Sequence, residues 1–230
     1  MIYAISDIHG EYEKLLKMLE TISFSSKDTL YVLGDSVDRG QRPVDLIRYF
    51  MTLPNVFHLW GNHDIMAYSV LRHLSVEITE DNAETHLDPE ILKMYFDWLL
   101  DGGGTTSSQF TRLSSEEREW TLEYFEEFLP YEDITVNGRR FILAHAGFDN
   151  FSPDRELDSY SLEELTVTPL DPEKEYFSNA LAIVGHTPTL SINGKAEIYK
   201  GNQSLFIDCG AAFGGRLACL CLDTLEEFYI

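Results

Sequence analysis

The sequence has few cysteines, and those it has are poorly placed for disulfide bonds. Only three of its 230 residues are cysteine, and all lie near the C-terminus: Cys209, Cys219 and Cys221. An odd, clustered set is a poor disulfide framework, so we expect reduced thiols and a reducing compartment. Cys219 and Cys221 are two residues apart in an apolar segment, which predicts that both are buried on one face of a strand.

Basic residues are also scarce. The chain has 17 lysine and arginine residues against 39 aspartate and glutamate residues, which gives a formal net charge of −22. A nucleic acid backbone needs a basic surface, so this composition argues against nucleic acid as a partner. It does not exclude a phosphate-bearing substrate, because bound divalent cations can reverse the field locally.

Long apolar runs are missing too. None approaches the ~20 residues that a transmembrane helix requires, so we expect no membrane partner. The first predicted strand begins at Ile2, which leaves no room for a signal peptide and predicts a cytoplasmic protein. A length of 230 residues, 44% of them hydrophobic, with no internal repeat or linker predicts a single domain covering residues 1–230.

What the sequence does contain is three polar clusters near its start, each directly after an apolar run. The runs are residues 2–5, 29–33 and 56–60, and the clusters are SDIHG, GDSVDRG and GNHD. Amphipathic helices are predicted at 11–22 and 43–53. This alternation predicts a βαβαβ unit with parallel strands that end at one edge, which is where open α/β sheets usually bind ligands.

The rest of the chain divides into a helical part and a β part. About residues 65–130 are predicted to be a helical insertion, with helices at 90–100, stopped by Gly102-Gly103-Gly104, and at 114–129, opened by a capping box. The insertion either shapes access to the strand ends or is a structural cap. Strands are predicted at 134–136, 139–144, 181–184, 196–199, 205–207, 216–222 and near 228, with a turn at Asn137-Gly138 and a long loop at 149–179.

Six side chains at predicted strand ends combine carboxylate, imidazole and amide oxygen: Asp7, His9, Asp35, Asn62, His145 and His186. This donor set suits divalent manganese, iron or zinc. Six ligands are too many for one tetrahedral zinc but fit two metals that share a carboxylate, and Asp35 is the expected bridge. Two cations ~3.5–4 Å apart can clamp a phosphate and activate a water for in-line attack.

Three neighbouring residues are then left for catalysis. Arg39 offers a two-pronged donor for phosphate oxygens. His63, next to Asn62, can protonate the leaving oxygen, and Asp38 can orient His63 and favour its charged form. We therefore expect catalysis by His63, Asp38 and Arg39, and substrate binding by Arg39, Asn62 and His63.

The ordered clusters Asp7-x-His9, GDSVDRG, GNHD, LAHAG and GHT resemble the calcineurin-like metallophosphoesterases. Within them the chain is similar to the phosphoprotein phosphatases, especially small bacterial and phage Ser/Thr phosphatases, and the segments at 96–104 and 207–217 add to this similarity. The resemblance implies a mixed α/β fold, a four-layer α-β-β-α sandwich with the helical insertion, and a dinuclear site that often works with manganese. It also implies the ligand and catalytic roles given above.

The expected function is therefore metal-dependent hydrolysis of phosphate monoesters, with a phosphorylated protein or a small phosphoester as substrate. Two departures from the family pattern stand out. Asp64 replaces the more common glutamate, and the interval that usually supplies a second phosphate-binding arginine holds only Arg155. The alternatives are a dinucleoside tetraphosphate hydrolase, since those enzymes share all five clusters, and a catalytically silent phosphate-binding scaffold. The sequence does not predict the oligomeric state.

Overall fold

The computed structural model describes residues 1–76 and 89–230. Its first strands are β1 (Ile2–Ile5), β2 (Thr29–Leu33) and β3 (Val56–Leu59), connected by helices α1 (Tyr12–Thr21) and α2 (Pro43–Phe50). β1 pairs in parallel with β2, and β2 pairs in parallel with β3. The predicted βαβαβ unit is therefore confirmed, and the carboxyl ends of its strands lie at one edge.

A second sheet follows later in the chain. It contains β4 (Glu132–Val136), β5 (Arg139–Leu143), β6 (Leu181–Val184), β7 (Tyr199–Gly201) and β8 (Ser204–Phe206), in the order β4-β5-β6-β8-β7. The predicted turn between β4 and β5 is present, and Asn137 and Gly138 both have the positive φ that a tight hairpin turn needs. The strand predicted at 196–199 is misplaced: β7 begins only at Tyr199. Its position is set by the turn directly after Gly201, which pairs it with β8.

Two C-terminal strands complete the first sheet. β9 (Ala218–Cys221) pairs antiparallel with β1, and β10 (Glu227–Tyr229) pairs antiparallel with β9, which gives the order β10-β9-β1-β2-β3. Cys219 and Cys221 pack in the same apolar cluster as α1, and all three cysteines are buried and free. Buried, reduced thiols on one strand face were the expectation, and the structure confirms it.

The described part of the predicted insertion is helical. Its described helices are α3 (Asn62–Leu74), α4 (Pro89–Trp98), α5 (Gly104–Phe110) and α6 (Ser115–Glu126), and Ser114 and Glu117 form the predicted capping box at the start of α6. The prediction that the three glycines stop a helix is confirmed: Gly102 has a φ of 107°, which is not helical, and the chain kinks there. This kinked turn (Leu99–Gly103) connects α4 to α5, which begins at Gly104.

Four layers pack on one another. Residues from both sheets, such as Ala4 and Leu33 of the first and Phe141 and Ile183 of the second, form the core between them. Helices α1 and α2 cover the outer face of the first sheet. Residues 148–170, with the short helix α7 (Leu162–Thr166), cover the outer face of the second. The expected α-β-β-α sandwich is confirmed, although its last layer is mostly loop. A second short helix, α8 (Thr189–Asn193), follows β6.

The described helices, those within residues 1–76 and 89–230, include none with the length and apolar character of a membrane span.

His58 on β3 is a histidine in the core rather than in the site. It is 4% exposed and packs between the rings of Phe50 and Phe128, while its Nδ1 lies 3.0 Å from the hydroxyl of Tyr124. Burial lowers the pKa of His58 from 6.5 to about 3. The folded protein therefore keeps this ring neutral at pH values where the unfolded chain takes up a proton.

We expect His58 to make the protein less stable in acid. Because only the unfolded chain protonates this ring between pH 6.5 and about 3, its contribution to stability falls as pH drops below 6.5, by about 1.4 kcal/mol per pH unit. Urea unfolding between pH 7 and pH 5 should show this slope as the difference between the wild type and His58→Phe. His58→Gln, which also lacks the imidazole, should show the same pH dependence as His58→Phe, at lower overall stability. Parallel curves for the wild type and both variants would contradict the prediction.

Candidate active site

The polar residues that the sequence places after strands come together at one edge of the structure. The carboxyl ends of β1, β2 and β3 form this edge with those of β5 and β6 from the second sheet. Groups far apart in sequence become neighbours because the two sheets pack face to face. The predicted ligands at this edge are Asp7 and His9 after β1, Asp35 after β2, Asn62 after β3, His145 after β5 and His186 after β6.

Two groups of potential metal ligands share the carboxylate of Asp35. The first comprises His9, Asp35 and His63, the second Asp35, His145 and His186, and the ligating atoms of each group lie within 4.8 Å of one another. Oδ2 of Asp35 is 3.5 Å from Nε2 of His9 and 3.5 Å from Nε2 of His145. Asp35 thus occupies the central position that was predicted for a bridging residue.

Asn62 and Asp7 lie beside the second group. Oδ1 of Asn62 is 3.0 Å from Nε2 of His145 and 3.0 Å from Nδ1 of His186. Asp7 belongs to neither group, but its Oδ2 accepts a hydrogen bond of 2.9 Å from the backbone N–H of His186. The structure therefore brings together all of the predicted ligand residues and adds His63 to the first group.

Backbone carbonyls fix the orientation of two imidazoles. Nδ1 of His9 donates to the carbonyl of Val37 at 2.8 Å, and Nδ1 of His145 donates to the carbonyl of Leu33 at 2.7 Å. With the proton on Nδ1, the Nε2 atom of each ring is an acceptor beside Asp35, and that of His9 accepts from Arg39 at 2.8 Å. Metal-binding histidines are commonly oriented in this way.

The loops that carry these side chains have a strained backbone. A positive φ is uncommon for residues other than glycine and occurs at functional sites where the surrounding structure enforces it. Here it is found at six residues of the site: Asp7 (50°), His9 (46°), Asp35 (54°), Asp38 (69°), Arg39 (62°) and His186 (64°).

Two glycines make room for the central carboxylates. A Cβ atom at Gly61 would lie 2.2 Å from Oδ1 of Asp35, and one at Gly185 would lie 2.2 Å from Oδ2 of Asp7. Both distances are far below van der Waals contact. Glycine is required at these positions because the backbone itself packs against the acid groups.

Burial shifts the pKa values of these groups in opposite directions. It raises the pKa of Asp7 well above its ordinary value and that of Asp208 to about 7, whereas it lowers the pKa of His9 and of His186 to about 4. Burial alone would also raise the pKa of Asp35, but the surrounding imidazoles, that of His145 first, reverse the shift and lower it. His9 and His186 are therefore neutral at pH 7, and they lie among carboxylates such as Asp7 whose negative charge the protein interior disfavours.

The chemistry of these donors fits a pair of divalent cations. Neutral imidazole nitrogens, carboxylate oxygens and an amide oxygen suit borderline metals such as manganese, iron and zinc. Two ligand groups that share one carboxylate match two ions that share one bridge. Positive charge placed there would also offset the cost of the buried carboxylates, which the surrounding side chains do only in part.

His63, Asp38 and Arg39 form a connected set next to the first group. Nδ1 of His63 donates to Oδ2 of Asp38 at 2.8 Å, and Nη2 of Arg39 lies 2.7 Å from Nε2 of His63. The other terminal nitrogen of Arg39 lies 2.8 Å from Nε2 of His9. Burial lowers the pKa of His63, but the hydrogen bond to Asp38 and the charge of Asp35 outweigh it and raise the pKa above its ordinary value.

The insertion supplies contacts that the sequence did not reveal. Trp98 and Thr106 both donate to the carboxylate of Asp38, at 2.8 and 2.7 Å. Asp101 lies 3.3 Å from Arg39. Trp98 and Asp101 are within the segment at 96–104 that carried part of the family resemblance, which was the available signal; nothing in the sequence marked Thr106.

The two departures from the family pattern have different outcomes. Asp64 is buried and accepts hydrogen bonds from the backbone N–H groups of Asp35, Ser36 and Gly61 at 2.7, 3.1 and 3.2 Å, so its shorter side chain still ties two site loops together. Arg155 does not replace the second arginine. Both of its terminal nitrogens bind Glu164 at 2.8 Å, and its guanidinium lies 3.8 Å from the ring centre of Tyr160.

Sequence comparison identifies relatives over nearly the whole chain. The family model for calcineurin-like phosphoesterases matches residues 1–214. A symmetrical bis(5'-nucleosyl)-tetraphosphatase of Klebsiella pneumoniae (strain 342) is 29% identical over 268 aligned residues, which cover 98% of this chain and 93% of that protein.

Solved structures share the fold. A candidate diadenosine tetraphosphatase superposes with a TM-score of 0.65 at 19% identity, covering 100% of this chain and 92% of its own. A protein serine/threonine phosphatase from Saccharomyces cerevisiae has a TM-score of 0.55 at 14% identity, covering 95% of this chain and 71% of its own. At these identities the similarity concerns the fold alone.

We expect the wild-type chain to bind two Mn²⁺ ions and Asp35→Asn to weaken both sites by at least about 100-fold, because both ligand groups use this carboxylate. The measurement is isothermal titration calorimetry with MnCl₂ on protein freed of metal by a chelator. Asp45→Asn is the matched control: this exposed carboxylate pairs with Arg42, and both sites should survive its loss. A single site in the wild type, or one unchanged site in Asp35→Asn, would contradict the shared bridge.

Proposed function

Because this chain belongs to the calcineurin-like phosphoesterase family, we propose that it is a two-metal phosphohydrolase whose preferred substrate is a dinucleoside tetraphosphate. The observation that carries this proposal is the position of Arg39. Its guanidinium reaches both His63 and a histidine of the first ligand group, at 2.7 and 2.8 Å. A phosphate bound by this fork would lie between the ligand groups and a histidine able to transfer a proton.

The relatives support the choice of substrate. The Klebsiella pneumoniae protein, which aligns with 98% of this chain, is a symmetrical bis(5'-nucleosyl)-tetraphosphatase. The missing second arginine agrees with this choice, since Arg155 is held by Glu164 and the phosphoprotein phosphatases usually place an arginine at the site from this interval. The dinucleoside substrate, which the sequence left as an alternative, therefore comes first.

A phosphoprotein substrate is the second candidate. The motif GDSVDRG and the segments at 96–104 and 207–217 resemble the Ser/Thr phosphatases, and a yeast Ser/Thr phosphatase shares the fold. The sequence relatives give this specificity no particular support. A catalytically silent scaffold is disfavoured because His63, Asp38 and Arg39 are connected as a proton-transfer site requires.

Two metal ions would be held by Asp7, His9 and Asp35 and by Asp35, Asn62, His145 and His186. When bound, they would supply Lewis acidity to the phosphoryl oxygens and lower the pKa of an attacking water. Manganese is the expected metal, with iron or zinc as alternatives. Nε2 of His9 has one lone pair, which now accepts from Arg39 at 2.8 Å. If His9 held a cation, this nitrogen would no longer accept from Arg39, and the guanidinium would be available to phosphate.

The chain's own residues divide the remaining tasks. Arg39 binds two phosphate oxygens and orients the phosphoryl group. Asn62, next to His63 in the chain, is the other residue proposed to contact the substrate. Nε2 of His63 faces Arg39 at 2.7 Å, so it holds a proton for the leaving oxygen only after Arg39 has turned to the phosphate. Asp38 keeps the ring oriented through Nδ1. The cytoplasmic location and the absence of a nucleic acid partner remain predictions from composition.

The test is a substrate panel with the manganese-loaded protein: diadenosine tetraphosphate, a phosphoserine and a phosphothreonine peptide, and 4-nitrophenyl phosphate. We expect kcat/KM for diadenosine tetraphosphate to exceed that for the peptides at least tenfold, and His63→Asn to lower kcat by about 10²–10⁴ with both metals retained. Higher activity on the peptides would reverse the order of the two candidates. No turnover of any substrate, with two bound metals verified, would refute the hydrolase.

Asp101 should weaken phosphate binding. It is half exposed, and its carboxylate oxygens lie 3.3 Å from Arg39 and 3.6 Å from Nε2 of His63, so a phosphate must displace it or bind beside its negative charge. We expect Asp101→Asn to lower KM and the inhibition constant of inorganic phosphate up to about 5-fold, as for an exposed ion pair. Asp97→Asn, an exposed carboxylate paired with Lys93 one helical turn earlier, is the control and should leave both unchanged. Weaker phosphate inhibition of Asp101→Asn would contradict this role.

A further inference from the structure

We propose that the helical insertion holds the proton donor in place: Trp98 and Thr106 are positioning residues that act on His63 through Asp38. This inference rests on the proposed function, because it concerns the group that protonates the leaving oxygen. The sequence left two roles open for the insertion, shaping access to the strand ends or acting as a structural cap, and this inference gives it a further one. The residues involved belong to α4 and α5, on either side of the kinked turn.

The carboxylate of Asp38 is fully buried and bound from three directions. Oδ2 accepts from Nδ1 of His63 at 2.8 Å and from Nε1 of Trp98 at 2.8 Å. Oδ1 accepts from the hydroxyl of Thr106 at 2.7 Å. The same hydroxyl accepts the backbone N–H of Asp38 at 2.9 Å, so Thr106 ties this side chain to its own backbone.

Asp38 depends on these partners because its own loop does not favour its geometry. Its φ is 69° and that of Arg39 is 62°, which are strained values for residues with side chains. The N–H of Arg39 donates to the carbonyl of Gly102, in the kinked turn, at 3.0 Å. The insertion therefore contacts this loop through both side chains and backbone.

The kinked turn at Leu99–Gly103 leaves room for the indole of Trp98. A Cβ atom at Gly103 would lie 2.3 Å from the ring of Trp98, so only glycine lets the turn close over it. The ring is fully buried in a cluster with Val37 and Phe110, and its N–H points to Asp38. The turn therefore lets Trp98 place an N–H donor on the carboxylate that contacts the proposed acid.

A purely structural role would have different consequences. Loss of Trp98 packing would loosen the cluster and lower activity on every substrate alike. Loss of the N–H alone would instead disturb the orientation of His63 and so weaken protonation of the leaving oxygen. That protonation matters most when the leaving group is a poor one, such as an alkoxide, and least when it is 4-nitrophenolate.

The experiment compares kcat/KM across a series of phosphate monoesters, from 4-nitrophenyl through phenyl to alkyl phosphate, on manganese-loaded protein. Trp98→Phe keeps an aromatic ring and removes the N–H, and Thr106→Val keeps the shape and removes the hydroxyl. We expect the loss on the alkyl ester to exceed the loss on the 4-nitrophenyl ester by about 10-fold or more in each variant. Thr106→Ser should restore the wild-type dependence on the leaving group.

Trp60→Phe is the matched control, because Trp60 packs in the same aromatic cluster and donates no hydrogen bond to Asp38. Any loss in this variant should be equal for all esters. Equal losses in Trp98→Phe and Thr106→Val would overturn the positioning role. His63→Asn distinguishes a failure of this inference from a failure of the proposed function. If only His63→Asn shows the steep dependence on the leaving group, the inference about the insertion fails. If His63→Asn shows none, the assignment of His63 as the acid fails as well.

Discussion

The shared, buried carboxylate of Asp35 is the constraint on which the site depends. One of its oxygens lies 3.5 Å from imidazoles of both ligand groups, and the other accepts the backbone N–H of His63 at 2.9 Å. A carboxylate this deeply buried requires nearby positive charge or donors, because water does not reach it. The imidazoles, the backbone donors and the implied cations together meet that need. Asp35 therefore contacts both the metal ligands and the backbone of the proposed acid, His63.

Bringing these groups together requires an unfavourable backbone, which the sandwich stabilises. Site residues in loops after β1, β2 and β6 have positive φ values, while the strands before them lie in well-packed sheets. Glycines at 61 and 185 let backbone approach the acid groups closely. Asp64 then ties the loops after β2 and β3 through three backbone N–H groups. Rigid sheets with strained loops at one edge are a common arrangement for a preorganised site.

Much of this could be predicted from the sequence, because the signals are local. Apolar runs followed by polar clusters indicated β1, β2 and β3, and their parallel pairing placed Asp7, Asp35 and Asn62 at one edge. The hairpin turn at Asn137-Gly138 and the capping box at Ser114 have similarly local causes.

Other features depend on contacts between distant segments. Trp98 and Thr106 reach Asp38 across 60 and 68 residues, which no periodicity reveals. The pairing of Arg155 with Glu164 likewise depends on a neighbour that only the fold supplies. Substrate choice is least accessible of all, because the same donors suit any phosphate ester and selectivity lies in the surrounding surface.

The central claim is that two cations share Asp35, and anomalous diffraction from crystals grown with manganese tests it most directly. Data collected at the manganese absorption edge should show two peaks about 3.5–4 Å apart, with the Asp35 carboxylate between them and Asp7, Asn62 and His186 turned towards them. A single peak, or two peaks that do not both contact Asp35, would contradict the account.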